Sequence, residues 1–126
     1  MNEASDTAGR HGVHGRSEHW EADAGEASVA HLDIPPDAVR DRAFEVAVDW
    51  QVRAVADAVD PWHELRVLVN GAHQWTRRVP THVDGGDGLD YRVRCSVPAG
   101  QPLRVAAVTE CRGVRRLALR IQADED

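Results

Sequence analysis

From residue 44 to residue 52 the larger apolar side chains alternate with smaller or polar ones: Phe44, Val46, Val48, Trp50 and Val52 against Glu45, Ala47, Asp49 and Gln51. A period of two places each set on its own side of an extended chain, so this stretch predicts a strand with one buried face. The alternation returns in LDYRVRCSV, where Leu89, Tyr91, Val93, Cys95 and Val97 share a side and Cys95 points inward. Upstream, SVAHLDIPP combines Val29, Leu32 and Ile34 with a double proline, which stops a strand and forbids helix before it. Asn70-Gly71 separates HELRVLV from HQWTRRV and supplies the positive φ values that a type I′ hairpin turn demands. The glycines and aspartates of PTHVDGGDG mark a loop. Finally, LRVAAVTE and VRRLALRI flank Cys111-Arg112-Gly113 and predict a closing hairpin turned at Gly113. RAVADAVD, after the strand at 44–52, is alanine-rich and equally compatible with helix, so the end of that strand stays open.

Seven short strands with turn signals between them predict an all-β fold, an immunoglobulin-like antiparallel β-sandwich over residues 29–126. The antibody order of cysteine, tryptophan, cysteine is absent, because Trp50 precedes both Cys95 and Cys111. Residues 1–28 mix His, Gly, Glu, Asp and Ala without a sustained apolar period, and predict a flexible polar tail.

The chain has 126 residues, enough for one modest core, and a formal net charge of -6. That balance argues against nucleic acid as a partner, since non-specific affinity for it comes from clustered cations that neutralise phosphates. All 15 basic residues are arginine, which reflects coding bias more simply than function. No apolar run approaches a membrane span or a signal-peptide core, and the expectation is a cytoplasmic protein without membrane contact. Two cysteines make no disulfide framework by count, and free thiols are the first assumption. A bridge across the sandwich between Cys95 and Cys111 would need their Cα atoms within about 6 Å.

No Ser-His-Asp order, phosphate-cradling glycine loop or nucleotide fingerprint is present, so hydrolytic and nucleotide-dependent chemistry lack support. His11, His14 and His19 have loose metal-site spacing but sit in the expected tail. The acidic run from Asp84 to Asp90 lacks the dense ligand pattern of an EF-hand and reads as a solvated turn. Arg92, Arg94, Arg104, Arg112, Arg115, Arg116 and Arg120 predict a basic patch on the outer faces of the last strands, suited to an acidic partner or to edge protection. His31, His63 and Cys111 remain. Each falls beside the end of a predicted strand, and imidazole mixed with thiolate suits iron, zinc or copper. The competing reading for each is a structural side chain, a hydrogen-bonded histidine or a small core thiol.

These residues occur in an order that resembles the ferrous-iron domain of the superoxide reductases, the desulfoferrodoxin and neelaredoxin family. HLDIP is similar to that family's H-x-P-x-I stretch, AFEVAV to its F-x-V-x-V strand, PWHELRVLVNG to its E-H-x-I segment with the strand after it, and ECRGV to its late C-N-x-H-G. The resemblance spans about residues 29 to 121. It implies an immunoglobulin-like sandwich holding non-haem iron with four histidines and one axial cysteine, and reduction of superoxide to hydrogen peroxide. His31 and His63 would then be equatorial ligands and Cys111 the axial thiolate. The two remaining histidines of the set fall near Asp57 and at Val114, and the lysine that commonly precedes the first histidine is Ala30. The layout, with its strand running into Asn-Gly and three strands following, also resembles the Z subunit of the thiosulfate-oxidising carrier complex. That resemblance implies a metal-free sandwich that binds a protein partner. For a non-catalytic sandwich of this kind the expected docking surface is an open sheet edge or the arginine-bearing face, and a homo-oligomer is a further expectation.

Overall fold

A computed structural model describes residues 17–126. Eight strands follow in order: β1 (His19–Asp23), β2 (Val29–Ile34), β3 (Arg42–Ala54), β4 (Trp62–Val69), β5 (Ala72–Pro80), β6 (Gly86–Val97), β7 (Leu103–Arg112) and β8 (Val114–Glu125). They form two four-stranded antiparallel sheets, β1-β8-β3-β6 and β2-β7-β4-β5, packed face to face. The fold is thus the all-β sandwich that the alternation predicts. There is no helix among the described residues, and therefore none long and apolar enough to cross a membrane.

The core follows from pleat parity. Phe44, Val46, Val48, Trp50 and Val52 of β3 are at most 1 % exposed, and they meet Leu65 and Val67 of β4, Leu103, Val105 and Ala107 of β7, and Leu32 and Ile34 of β2. Each Val, Leu, Ile or Phe among them, once fully buried, contributes on the order of 1.5–3 kcal/mol relative to exposure. β3 pairs with β6 on one side and with β8 on the other, so it is one of the two inner strands of its sheet. The strand continues to Ala54, and the alanine-rich segment after it bends at Asp57 and Asp60, both in the left-handed region, instead of forming a helix.

Two sequence expectations change. The strand count among the described residues is eight, because His19–Asp23 of the expected tail pairs with Asp124–Arg120 of β8 and buries Trp20 and Ala22. The rest of that expected tail, with His11 and His14, lies outside the described residues. The predicted closing hairpin is instead a corner: β7 and β8 lie in different sheets, joined through Gly113 alone at φ +68°. One residue is too short a link for neighbouring antiparallel strands, whose tightest common turn uses two. A side chain at Gly113 would also come within 3.1 Å of Ala58 Cβ. The predicted Asn70-Gly71 turn is observed, with φ of 50° and 81° joining β4 to β5.

The short β1 is held by charge as well as by apolar contact. Glu18, 3 % exposed, accepts from buried Arg42 at 2.9 Å, from the Trp20 indole at 2.9 Å and from Arg40 at 2.8 Å. Arg42 also donates to Pro35 O at 2.8 Å, and Arg40 pairs with Glu125. The cluster ties β1, β3 and the end of β8 together. Removing one member of a buried pair strands its partner in low dielectric, so Glu18→Ala should lose about 3 kcal/mol of unfolding free energy in urea titration. The exposed Glu26→Ala should change it by less than about 0.5 kcal/mol.

His19 lies between Asp124 and Glu21, the latter at 3.0 Å. Partial burial lowers its pKa, but the hydrogen bonds and charges of the two carboxylates outweigh this and raise it above 6.5. The His19 hydrogen bond holds Glu21 below its ordinary value. A raised histidine contributes stability fully below its unfolded pKa and loses it as pH rises through the folded one. A lowered glutamate contributes above its unfolded value and loses it as pH falls through the folded one. This pair should therefore stabilise most in mildly acidic solution, and His19→Ala should flatten the stability-pH curve above pH 6.5 in denaturant titrations.

Candidate functional site

Parity decides which candidate residues meet. On β4, His63 lies on the same side as Leu65 and Val67, and on β7 Cys111 lies on the same side as Ala107 and Thr109, both facing the opposite sheet. His63 and Cys111 are also direct register partners across β4 and β7. His31 falls between buried Ala30 and Leu32 on β2 and so faces solvent on the other side of the same sheet. Its register partner is Ala106, five residues from Cys111, which places it about 17 Å away along β7. The structure brings His63 and Cys111 together and separates His31 from both, so the three do not face one void.

His63 is fully buried and both ring nitrogens are engaged. Nε2 lies 3.2 Å from Gly88 O, which can only accept, so Nε2 carries the proton. Nδ1 then accepts from the Thr81 hydroxyl at 2.6 Å. The ring meets Trp50 edge to face at 5.6 Å. A metal ligand must offer a lone pair, and this imidazole spends its lone pair on Thr81. Cys111 Sγ rests 3.8 Å from Val114 O, a weak contact that ties the thiol to the corner. Among the described residues no three His, Cys, Asp or Glu side chains are grouped to hold a metal ion. The residues present therefore do not fit the five-ligand iron centre that the superoxide reductase resemblance implies.

Gly88 makes the His63 arrangement possible. A Cβ there would stand 2.3 Å from Trp50 O, so only glycine allows β6 to approach this closely. The acidic loop serves the same corner: Asp87 accepts from His82 N at 2.8 Å and from Gly88 N at 2.7 Å. Partial burial raises the Asp87 pKa, and those two amide donors together with nearby histidines lower it by more. Its carboxylate thus closes its own turn.

The cysteines are both free. Cys95 pairs with Phe44, whereas Cys111 sits by His63 and hence beside Trp50, six residues further along β3, a separation of about 20 Å. That exceeds disulfide reach. Burial pushes the Cys95 thiol pKa up, consistent with a small core residue.

The arginines do not form one patch. Arg92, Arg94 and Arg120 share the outer face of β1-β8-β3-β6 with Glu45, Asp49, Asp90 and Asp124, in a mixed-charge lattice. Arg104 and Arg112 lie on the opposite sheet, and Arg116 turns in to donate to Thr109 Oγ1 at 3.1 Å.

The outer face of β2-β7-β4-β5 has a different character. Its centre is apolar and half-buried: Val29 beside Val108, and Ala106 beside Leu68. Around it stand His31, Arg66, Arg104 and the exposed His73, with Trp62 capped by Arg78 at 3.8 Å toward one end. A shallow depression there is lined by His31, Leu68, Asn70, Arg104 and Ala106. The outward positions of β4 and β7 were legible from alternation, but which strand would lie beside β7 was not.

No family model matches the chain, and no curated protein matches it. Among solved structures it is similar to dimeric latent PorU from Porphyromonas gingivalis, at 10% identity and a TM-score of 0.45. That match covers 82% of this chain and 10% of the PorU chain.

Thr81→Val should leave the His63 ring nitrogen unsatisfied in the core and cost about 1–2 kcal/mol. Gly88→Ala should cost about 2–3 kcal/mol by forcing β3 and β6 apart. Both are read as shifts in the urea midpoint, with Cys111→Ala expected to lose less than either.

Proposed function

We propose that this chain is a non-catalytic β-sandwich that binds a protein partner through the outer face of β2-β7-β4-β5. The supporting observation is the apolar island of Val29, Leu68, Ala106 and Val108 on a solvent-facing sheet, with charged and aromatic residues around it. An apolar centre with a polar rim is the composition of a protein interface. The other outer face carries Glu45, Asp49, Arg92, Arg94, Arg120 and Gln122 around the small Ala47, and lacks such a centre. On this reading His31 and Arg104 are rim residues. The reading agrees with the metal-free relative suggested by the sequence.

A second reading, the superoxide-reductase-like iron protein, is favoured by one observation, the direct opposition of His63 and Cys111 across β4 and β7. It requires His63 to release Thr81 and other residues to complete the shell. Metal analysis after anaerobic purification separates the two: near-stoichiometric iron that disappears in Cys111→Ser supports the iron reading, and iron-free protein removes it. For the binding reading, co-purification from the host lysate should recover the same partner with wild type and with the opposite-face variant Ala47→Glu. The double variant Leu68→Glu/Val108→Glu should lose it. Equal recovery by all three proteins overturns the assignment of the face.

A further inference from the structure

Of the four terminal strands, β6 alone is a long and regular edge. β1 has five residues, β2 has six and runs into Pro35-Pro36, and β5 carries a bulge against β4 and ends at Pro80. These are the usual devices that keep an edge from recruiting another strand. β6 has twelve residues, contains no proline, pairs with β3 without a register shift and, among the described residues, has no strand on its other side.

Its central sequence is complementary to itself. Leu89-Asp90-Tyr91-Arg92-Val93, laid antiparallel on a second copy about Tyr91, sets Asp90 opposite Arg92, Arg92 opposite Asp90, and Leu89 opposite Val93. Asp90 and Arg92 are exposed on the outer face, and neither makes an ion pair or a side-chain hydrogen bond among the described residues. Asp90 faces a like charge on its paired side, since its register partner in β3 is Asp49. Like charges directly opposite one another across strands destabilise a sheet, and a cation on the open side offsets this. On the inner side, Leu89, Tyr91 and Val93 are only half-buried, with Tyr91 stacked on Trp75 of β5 at 4.6 Å.

We propose that β6 pairs with β6 of a second copy about a two-fold axis at Tyr91, joining the two β1-β8-β3-β6 sheets into one continuous sheet. Charge selects the register. Paired residues must share a face, so the axis can fall at Asp90, Tyr91 or Arg92 but not between them. An axis at Asp90 sets Asp90 against itself, and an axis at Arg92 sets Arg92 against itself while facing Asp90 with Arg94, which Asp126 already pairs, whereas the axis at Tyr91 makes two opposite-charge pairs and no like-charge pair. It also sets Arg94, already paired with Asp126 at 2.8 Å, opposite Gly88 of the second copy, where no side chain competes. The half-buried inner residues then gain cover from their symmetry mates. The interface uses an edge distinct from the partner-binding face and goes beyond that reading.

Sedimentation equilibrium of the full chain tests it. Wild type should dimerise at micromolar concentration, more weakly as salt rises. Arg92→Asp and Asp90→Arg each replace two attractive contacts by two repulsive ones and should raise the dimer Kd by about tenfold or more. The double exchange Asp90→Arg/Arg92→Asp keeps the complementarity and should return the Kd to near the wild-type value. Leu68→Glu, on the other sheet, should leave it unchanged. A wild type that stays monomeric at about 500 µM and low salt overturns the proposal. So does a double exchange that behaves like the single variants, or a dimer abolished by Leu68→Glu.

Discussion

In a pleated strand side chains point alternately to opposite faces, and β3 commits five large ones to a single side. Phe44, Val46, Val48, Trp50 and Val52 have no other place to be buried, so the second sheet must cover them and the register of β6 and β8 against β3 is fixed. A slip of one residue would expose the whole set. The same constraint governs the chemistry. His63 and Cys111 are inward because Leu65 and Ala107 are inward, and His31 is outward because Leu32 is inward. No side-chain rotation carries an imidazole through its own sheet, so parity alone divides the three candidate residues.

Within that frame, polar groups enter the interior only where they are answered. At one end Glu18 and Arg42 neutralise each other, and Trp20, Arg40 and Pro35 O take up most of their remaining capacity. Toward the other end His63 is satisfied on both nitrogens by Thr81 and Gly88. The exceptions among the described residues are Arg42 Nε and the Trp50 indole N–H, buried with no hydrogen-bond partner there. An orphaned donor costs on the order of 1–3 kcal/mol. Trp50 offsets that by filling the largest fully buried site in the core and by meeting the His63 ring edge to face.

Much of the fold is legible along the chain because the signals for it are local. Period two identifies β3, β6 and the inward Cys95, and Asn70-Gly71 identifies the β4–β5 turn. β1 is not legible: with five residues and two inward side chains, Trp20 and Ala22, its alternation is too short to stand out from a polar segment. Its place depends on Arg42 and on the end of β8, more than twenty residues away in sequence. The candidate site fails for a related reason. His31, His63 and Cys111 do lie on strands as the pattern predicts, but the face of each depends on the parity of its neighbours, and their order along the chain does not carry that parity. Leu32, Leu65 and Ala107 fix the inward side of their strands, and that parity separates His31 from the other two in the sequence itself.

The corner at Gly113 connects these points to the surfaces the molecule presents. A hairpin between β7 and β8 would have put β8 next to β7 in the sheet with β4. A single-residue link with φ +68° sends β8 to the other sheet, where it pairs with β3. The position beside β7 is then open to β2, and this brings Val29 against Val108 and His31 against Ala106. The apolar island on that outer face therefore exists only because the chain changes sheets at Gly113. The same change of sheets fills one flank of β3 with β8 and β1, leaving β6 on the opposite flank with no further strand beside it among the described residues. Both surfaces, the island and the free edge, thus trace to one glycine in a left-handed conformation, packed against Ala58 and Pro61, where any side chain would be strained and crowded.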